Sequence, residues 1–273
     1  MGICIFCGED RPLTKEHMVP NWYRREFAWR RPKSVHVIEG FREGSGVYAG
    51  KGRIGHAGDI HDRGIRCVCA ECNNGWMSGL QEQAMPFLRE MIVAGDTRVP
   101  AAAAPIIMRW LCMATCVWET ADPPTAVLTA TQRREIMAGA IPAGWFGCVG
   151  RTHDLRQSGT RSHRGLRLSD DSGPRLAAQV TIFCLYPLLF YSASIDPAEL
   201  GDDGKPTLAG SGDARVNVFW PFNILLQVQT TAALDEAAMY AVRDAILPGW
   251  TEATDIVDAI NREAAARAGG RST

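Results

Sequence analysis

Two short cysteine motifs, Cys4-Ile-Phe-Cys7 and Cys69-Ala-Glu-Cys72, enclose the segment of the chain that decides its fold. In each motif the two-residue spacer lets one turn direct both sulfurs to the same point, and four thiolates complete a tetrahedral zinc ion. The sequence therefore predicts a closed, structural Zn²⁺ site built from these four cysteines. Cys67 is a competing ligand, because on a strand it would share a face with Cys69, but the motif spacing favours Cys69.

The composition indicates a globular protein in a reducing compartment. The chain of 273 residues is 46% hydrophobic and 22% charged, with a formal net charge of -1. Its nine cysteines form an odd set, and we see no export signal at the N-terminus, so a cytoplasmic location is expected. The longest apolar stretches, 101–118 and 177–195, are interrupted by proline or polar residues and predict core elements and not membrane spans.

Between and after the cysteine motifs lie residues that carry hydrolytic chemistry. Glu16-His17 follows the first motif, with Pro20 three positions later, and Asn73-Asn74 follows the second motif directly. A Glu-His pair alone is more often an ordinary surface pair. Here, however, the zinc would bring His17 and Asn73 into one small module despite their separation in sequence.

The combined pattern resembles the HNH (ββα-metal) endonuclease family. Glu16-His17-Met-Val-Pro20-Asn-Trp22 and Cys72-Asn-Asn-Gly-Trp-Met-Ser78 are similar to a subgroup of bacterial and phage members that have a longer C-terminal region. The resemblance covers about residues 4–78. It implies that two strands and a helix hold one divalent ion beside a histidine that activates water.

Carried over position by position, the resemblance makes His17 the general base. Glu16 and Asn73 become the ligands of a catalytic Mg²⁺ or Mn²⁺, with Asn74 as the alternative to Asn73. Oxygen ligands suit a hard divalent ion, so this second site would differ from the zinc site.

One family position has no obvious counterpart. The asparagine that usually orients the catalytic histidine is missing, since Asn21 is the only asparagine between Met18 and Arg66. His61, Asp59, Asp62 or a backbone carbonyl are the candidate replacements. His61 lies in a predicted strand and is also a candidate metal ligand; the alternative interpretation is that it lies in a solvated turn.

A basic, aromatic segment adjoins the proposed base. Residues 20–31 predict a short helix, and because the chain as a whole is not basic, any nucleic-acid contact requires such a local patch. The cations expected to contact phosphates are Arg24, Arg25, Arg30, Arg31 and Lys33. The expected partner is nucleic acid, DNA rather than RNA.

The pattern after the second motif predicts an α+β chain in two parts. Residues 1–94 form the zinc-stapled ββα-metal module, and residues 95–273 form a mixed α+β domain that supports substrate binding, recognition or dimerisation. Ser78 and Gln81 have the spacing of a capping box, and Thr131 is a plausible helix cap. Residues 151–174 are polar and arginine-rich and predict a loop.

The expected function is metal-dependent endonucleolytic hydrolysis of phosphodiester bonds. The alternative is a non-catalytic zinc ribbon that binds nucleic acid or protein, which keeps the four cysteines and gives His17 no catalytic role. A third interpretation is a zinc-redox switch that uses Cys67. Double-strand cleavage by one site per chain would require a homodimer.

Overall fold

A computed structural model describes residues 1–17, 19–27, 37–42, 46–48, 64–121, 126–170, 173–195, 215–221 and 232–246. Over 37–42, 46–48, 166–170 and 173–176 it describes the backbone alone. Helices and strands are mixed along the chain, which confirms the predicted α+β class.

The strands form three sheets among the described residues. They are β1 (Gly2–Ile3), β2 (Asp10–Arg11), β3 (Leu13–His17), β4 (Val37–Arg42), β5 (Gly46–Tyr48), β6 (Gly64–Cys69), β7 (Trp145–Arg151), β8 (Arg161–Asp170), β9 (Gly173–Leu185), β10 (Leu188–Ile195) and β11 (Asn217–Trp220). The helices are α1 (Asn21–Glu26), α2 (Ala70–Cys72), α3 (Ser78–Ala94), α4 (Ala104–Glu119), α5 (Ala130–Met137) and α6 (Glu236–Ile246).

The N-terminal part contains a two-stranded sheet followed directly by a helix. β3 pairs antiparallel with β6, with Leu13 opposite Cys69 and His17 opposite Gly64. β6 ends at Cys69 and α2 begins at the next residue. This strand–strand–helix order is what places the second cysteine motif and Asn73 beside the strand that carries Glu16 and His17.

The helix continues past the second motif instead of starting at Ser78. A π turn over Asn73–Met77 joins α2 to α3, so the predicted capping box at Ser78 and Gln81 is wrong. Along α3 a helical stripe is buried, formed by Leu80, Ala84, Leu88 and Met91. Burial of this stripe holds the helix against the rest of the chain, whatever its end residues contribute.

A seven-stranded sheet has the order β11-β7-β10-β9-β8-β4-β5 and joins five strands of residues 145–220 to β4 and β5 of the N-terminal part. Neighbouring strands are antiparallel except for the parallel pair β4–β8. α4 packs against this sheet and is buried on most of its surface. The Trp110 ring lies near Phe183, with 6.3 Å between ring centroids, and the Thr115 hydroxyl donates to Ser192 Oγ at 3.2 Å.

The predicted loop over 151–174 is wrong, because most of that segment belongs to β8 and the start of β9. Among the described side chains of this segment, Arg161, Ser162 and His163 are buried and contact neighbouring elements. The Arg161 guanidinium lies 4.8 Å from the centroid of the Phe183 ring. His163 Nδ1 lies 2.8 Å from Thr181 Oγ1. A strand built from such pairs lacks the apolar alternation by which strands are recognised in sequence.

The two parts of the chain share one core. A single cluster of buried side chains includes Phe6 and Leu88 from the N-terminal part and Ile107 and Phe190 from the C-terminal part. The division of the chain into two domains, residues 1–94 and 95–273, stays a prediction. Within the described part of the chain, no helix is both long and apolar enough to span a bilayer.

Candidate metal and catalytic centre

The four motif cysteines converge. Cys4, Cys7, Cys69 and Cys72 place their sulfurs within 4.8 Å of one another, and Cys7 and Cys69 are 3.8 Å apart. In a tetrahedral site with Zn–S bonds of about 2.3 Å, neighbouring sulfurs are about 3.8 Å apart. A donor set of four thiolates at this spacing fits zinc and leaves no coordination position for a substrate.

Local backbone geometry prepares the first motif for metal binding. The motif forms the turn of the β1–β2 hairpin, and Gly8 closes it with φ at 77°, a conformation that favours glycine. Burial by itself raises the pKa of Cys4. Hydrogen bonds from the backbone amides of Cys69, Cys7 and Phe6 outweigh it and lower that pKa to about 7. A thiol of this acidity supplies a thiolate near neutral pH.

Cys67 lies outside the four-cysteine cluster. The register of β3 and β6 shifts between Thr14, which faces Val68, and Lys15, which faces Arg66, so Cys67 is the extra residue of a β-bulge. A bulge breaks the alternation of side chains along a strand. The expectation that Cys67 and Cys69 share one face of β6 therefore does not apply. Burial raises the pKa of Cys67 to about 11, and the redox-switch interpretation stays a prediction.

Glu16 is a buried carboxyl group on β3, with 7% of its surface exposed. Its Oε1 accepts a hydrogen bond from Gln81 Nε2 on α3 at 3.0 Å. Burial raises the pKa of Glu16 to about 7, although Gln81 and the backbone amide of His17 favour the carboxylate. A bound cation would favour the ionised form as well.

Glu16 and His17 line a small cavity between β3, α3 and α4. Its volume is about 20 Å³, enough for about one water molecule. The walls include the aromatic rings of Trp110, Trp118 and Phe183. The cavity therefore has room for water but not for a nucleotide.

Asn73 contacts the same strand two residues before Glu16. Its side-chain nitrogen donates to Thr14 Oγ1 at 3.0 Å, and Thr14 and Glu16 share one face of β3 by alternation. The structure thus brings Asn73 and Glu16 to the same side of the strand, along one helix. Asn74 is exposed, and no contact brings its side chain to Glu16 or His17 among the described residues.

The catalytic divalent ion stays a prediction. Among the described residues, the four cysteines are the one group of three or more histidine, cysteine or acidic side chains close enough to hold a metal. Glu16 and His17 provide two such side chains, and Asn73 would have to supply a third donor as an amide.

The remaining predicted site residues fall into two groups. Arg24 and Arg25 lie in the last turn of α1, where Arg25 is exposed and Arg24 half-buried. His61, Asp59, Asp62, Arg30, Arg31 and Lys33 lie outside the described residues. The proposed roles of all these residues stay predictions.

Two residues at the site were missed by sequence reasoning. Thr14 bridges the two secondary-structure elements, since it accepts from Asn73 and donates to the Val68 carbonyl at 3.0 Å. The sequence pattern predicts Gln81 in a helix cap, whereas in the structure its side chain donates a hydrogen bond to Glu16. The available signal for Gln81 was its position two turns after Asn73, on the helix face that meets β3.

Comparison of the chain with protein-family models, with curated proteins and with solved structures gave no match. The likeness to HNH endonucleases thus rests on the motifs quoted above.

Proposed function

We propose that the N-terminal part is an HNH-type endonuclease module that hydrolyses phosphodiester bonds in nucleic acid, with His17 as general base. One observation carries the proposal: β3, which holds Glu16 and His17, pairs with the strand that leads into the Asn73 helix, and Asn73 bonds back to β3. This is the strand–strand–helix order expected of a ββα-metal site, and the four-cysteine cluster staples it together.

The proposed chemistry assigns one task to each side chain. His17 accepts a proton from the attacking water, because an imidazole titrates near neutral pH. Glu16 and Asn73 supply oxygen donors for the divalent ion. When bound, Mg²⁺ or Mn²⁺ neutralises the charge that builds on the phosphate oxygens. Gln81 holds the Glu16 carboxyl group in place through its 3.0 Å hydrogen bond.

DNA is the proposed substrate, with the cations of the α1 segment, including Arg24 and Arg25, binding its phosphates. Cleavage of both strands would require two copies of the chain, since one site cuts one strand. The role of the C-terminal part in recognition or dimerisation, and a cytoplasmic location, belong to the same proposal.

A second candidate, a non-catalytic zinc ribbon that binds nucleic acid or protein, is favoured by one observation. Glu16 is 7% exposed and already accepts a hydrogen bond from Gln81. A carboxyl group engaged in this way can serve purely to join β3 to α3. Under this alternative the zinc site remains and His17 has no chemical role.

Cleavage by the full-length, zinc-loaded protein separates the two candidates. Supercoiled plasmid, linear duplex, single-stranded DNA and RNA are each incubated with Mg²⁺, with Mn²⁺, or with no added divalent ion. EDTA is avoided because it would also strip the structural zinc. We expect ion-dependent cleavage that is lost in His17→Ala and retained in His153→Ala, in which an exposed histidine is removed.

Zinc content and melting temperature of each variant show whether the loss is chemical or structural. Cleavage that survives in a correctly folded His17→Ala protein would exclude His17 as the base. A zinc-loaded wild type that binds nucleic acid in a gel-shift assay but cuts none of the substrates would support the zinc-ribbon candidate instead.

A further inference from the structure

The hydroxyl group of Thr14 has a single proton, and its surroundings fix where that proton points. Thr14 Oγ1 lies 3.0 Å from the backbone carbonyl oxygen of Val68. A carbonyl oxygen can only accept a hydrogen bond, so the proton of Thr14 points to Val68. With its proton committed in this way, Thr14 Oγ1 can only accept from any further partner.

That further partner is the side-chain amide of Asn73, whose nitrogen lies 3.0 Å from Thr14 Oγ1. An asparagine amide has two different ends, an oxygen that accepts and a nitrogen that donates. If the oxygen faced Thr14, two acceptors would compete for one hydroxyl proton, and one of the two contacts would be repulsive. The hydroxyl group of Thr14 therefore permits one orientation of the Asn73 amide, with the nitrogen toward Thr14.

This orientation decides which atom of Asn73 is left for a ligand. The nitrogen is engaged by Thr14. Among the described residues, Oδ1 of this half-buried side chain has no hydrogen-bond partner, and it is not a buried atom. Oδ1 is therefore open to solvent. A hard divalent cation binds an amide through its oxygen, so the free end of Asn73 is the end that such an ion requires.

The other proposed oxygen ligand, Glu16, is held in a comparable way. Its Oε1 accepts a hydrogen bond from Gln81 Nε2 at 3.0 Å. Thr14 and Glu16 are two residues apart on β3 and share one face of that strand by alternation. The hydrogen bonds that hold the two ligands therefore lie on the same side of β3. A carboxylate and an amide oxygen suit Mg²⁺ or Mn²⁺ by their chemistry.

We propose that Thr14 is a positioning residue for the divalent ion: it binds the nitrogen of the Asn73 amide and thereby presents the amide oxygen as the ligand. The inference rests on the proposed function, because it needs the divalent ion of that site. It adds the residue that selects which end of Asn73 the ion meets. Removal of a group that orients a metal ligand typically weakens metal binding 10- to 100-fold.

Binding of Mn²⁺ to the full-length, zinc-loaded protein tests the inference without any cleavage. Free Mn²⁺ is followed by EPR during a titration, and the relevant site is the one that Glu16→Gln removes. We expect Thr14→Val to bind Mn²⁺ about 10- to 100-fold more weakly than wild type. Thr14→Ser, which keeps the hydroxyl group, and Thr131→Val, at an exposed threonine, should bind like wild type. A purely structural role of Thr14 would lower the melting temperature and leave the Mn²⁺ affinity of the folded protein unchanged.

The outcomes separate this inference from the proposed function. Equal Mn²⁺ affinity of Thr14→Val and wild type overturns the inference and leaves the nuclease proposal in place. Weaker binding by Thr14→Val, in a protein that cleaves no nucleic acid, supports the inference and contradicts the nuclease proposal. A wild type without a Mn²⁺ site that Glu16→Gln removes overturns both the inference and the divalent-ion site.

The orientation of the Asn73 amide is measured on the wild-type chain if Thr14→Val does not fold. In ¹⁵N-labelled, zinc-loaded protein, the two side-chain amide protons of Asn73 are resolved by NMR. We expect one of them to show an NOE to Thr14 and to exchange with water more slowly than the other, because it is hydrogen-bonded. Equal exchange of the two protons would show that Thr14 does not hold the nitrogen, and the inference would be wrong.

Discussion

The side chain of Asn73 donates a hydrogen bond to the hydroxyl of Thr14 at 3.0 Å, joining the start of the helix to the strand of Glu16 and His17. Thr14 in turn donates to the Val68 carbonyl on β6 at 3.0 Å. One hydroxyl group therefore connects both strands and the helix. This polar link is separate from the cysteine cluster, and it positions Asn73 on the face of β3 that Glu16 shares.

Replacing Thr14 with valine should weaken the module without altering its shape. Valine is nearly isosteric, but it can neither accept from Asn73 nor donate to Val68. We expect the free energy of unfolding of zinc-loaded protein to fall by about 1–3 kcal/mol, because the polar groups left behind are half-buried. Urea denaturation measures this change. Thr131→Val, at an exposed threonine, should change stability by less than about 0.5 kcal/mol. Equal stability of Thr14→Val and wild type would show that the link contributes nothing.

Removal of one zinc ligand should unfold the N-terminal module, whereas removal of its buried neighbour should not. Cys72→Ser takes away one of four thiolates, and structural zinc contributes folding free energy directly. We expect loss of bound zinc, measured by elemental analysis, together with a large drop in melting temperature. Cys67→Ala should keep its full zinc content, because Cys67 is outside the cluster. Zinc loss from Cys67→Ala and not from Cys72→Ser would mean that the ligand set is wrong.

The buried carboxyl group of Glu119 should make stability fall as the pH rises. Burial raises the pKa of Glu119 to about 7 from 4.5, although the amides of Val127 and Leu128 and the Arg133 guanidinium favour the carboxylate. The folded-state pKa lies above the unfolded one, so the folded protein favours the protonated carboxyl group. The contribution of this group to the free energy of unfolding is fully present below pH 4.5 and is lost as the pH rises through about 7.

Glu119→Gln imitates the protonated acid at every pH. Relative to wild type, we expect the variant to gain stability as the pH rises from 4.5 to about 7, and the difference to stay constant at higher pH. Over the whole shift the effect is at most about 3 kcal/mol, from 1.36 kcal/mol for each pH unit. Urea unfolding at several pH values measures it. Glu135→Gln, at an exposed glutamate, controls for the charge change. A stability difference between Glu119→Gln and wild type that does not vary with pH contradicts the prediction.

Gly147 on β7 should not tolerate a methyl group. A Cβ there would lie 2.7 Å from Met108 Sδ on α4 and 2.7 Å from Phe219 Cζ on β11. We expect Gly147→Ala to cost about 1–3 kcal/mol, because the packed side chains must shift. Gly79→Ala is the contrasting change: nothing lies within 4 Å of its Cβ position in α3, so it should stabilise by about 0.5–1 kcal/mol. Thermal melts of both variants show whether the change in stability is a loss at Gly147 and a gain at Gly79. Equal changes at the two positions would contradict the prediction.

Several elements could be predicted from sequence because their signals are local. The apolar stretch 101–118, predicted to be a core element, contains most of the buried helix α4, and its apolar pattern needs no partner to be recognised. The apolar stretch 177–195, also predicted to be a core element, contains most of β9 and all of β10. The helix cap was misplaced by two residues, because Thr129 and not Thr131 forms the capping box with Gln132.

β8 could not be predicted, because its stability depends on partners far away in the chain. His163 meets Thr181, and Arg243 on α6 donates to Ser162 Oγ at 3.0 Å. A buried polar side chain is tolerated only when such a partner is present. The sequence of β8 alone therefore resembles a solvated loop.

The sequence by itself indicated that cysteines of both motifs converge on one candidate metal site and that the chain belongs to the α+β class, because motif spacing and apolar periodicity are properties of short segments. Only the tertiary structure decided which cysteine is left out, since the bulge that removes Cys67 arises from the register of two strands. It alone paired Glu16 with Gln81 and Thr14 with Asn73. Such contacts are set by how a helix packs on a sheet, and that packing depends on the whole core and not on the residues that meet there.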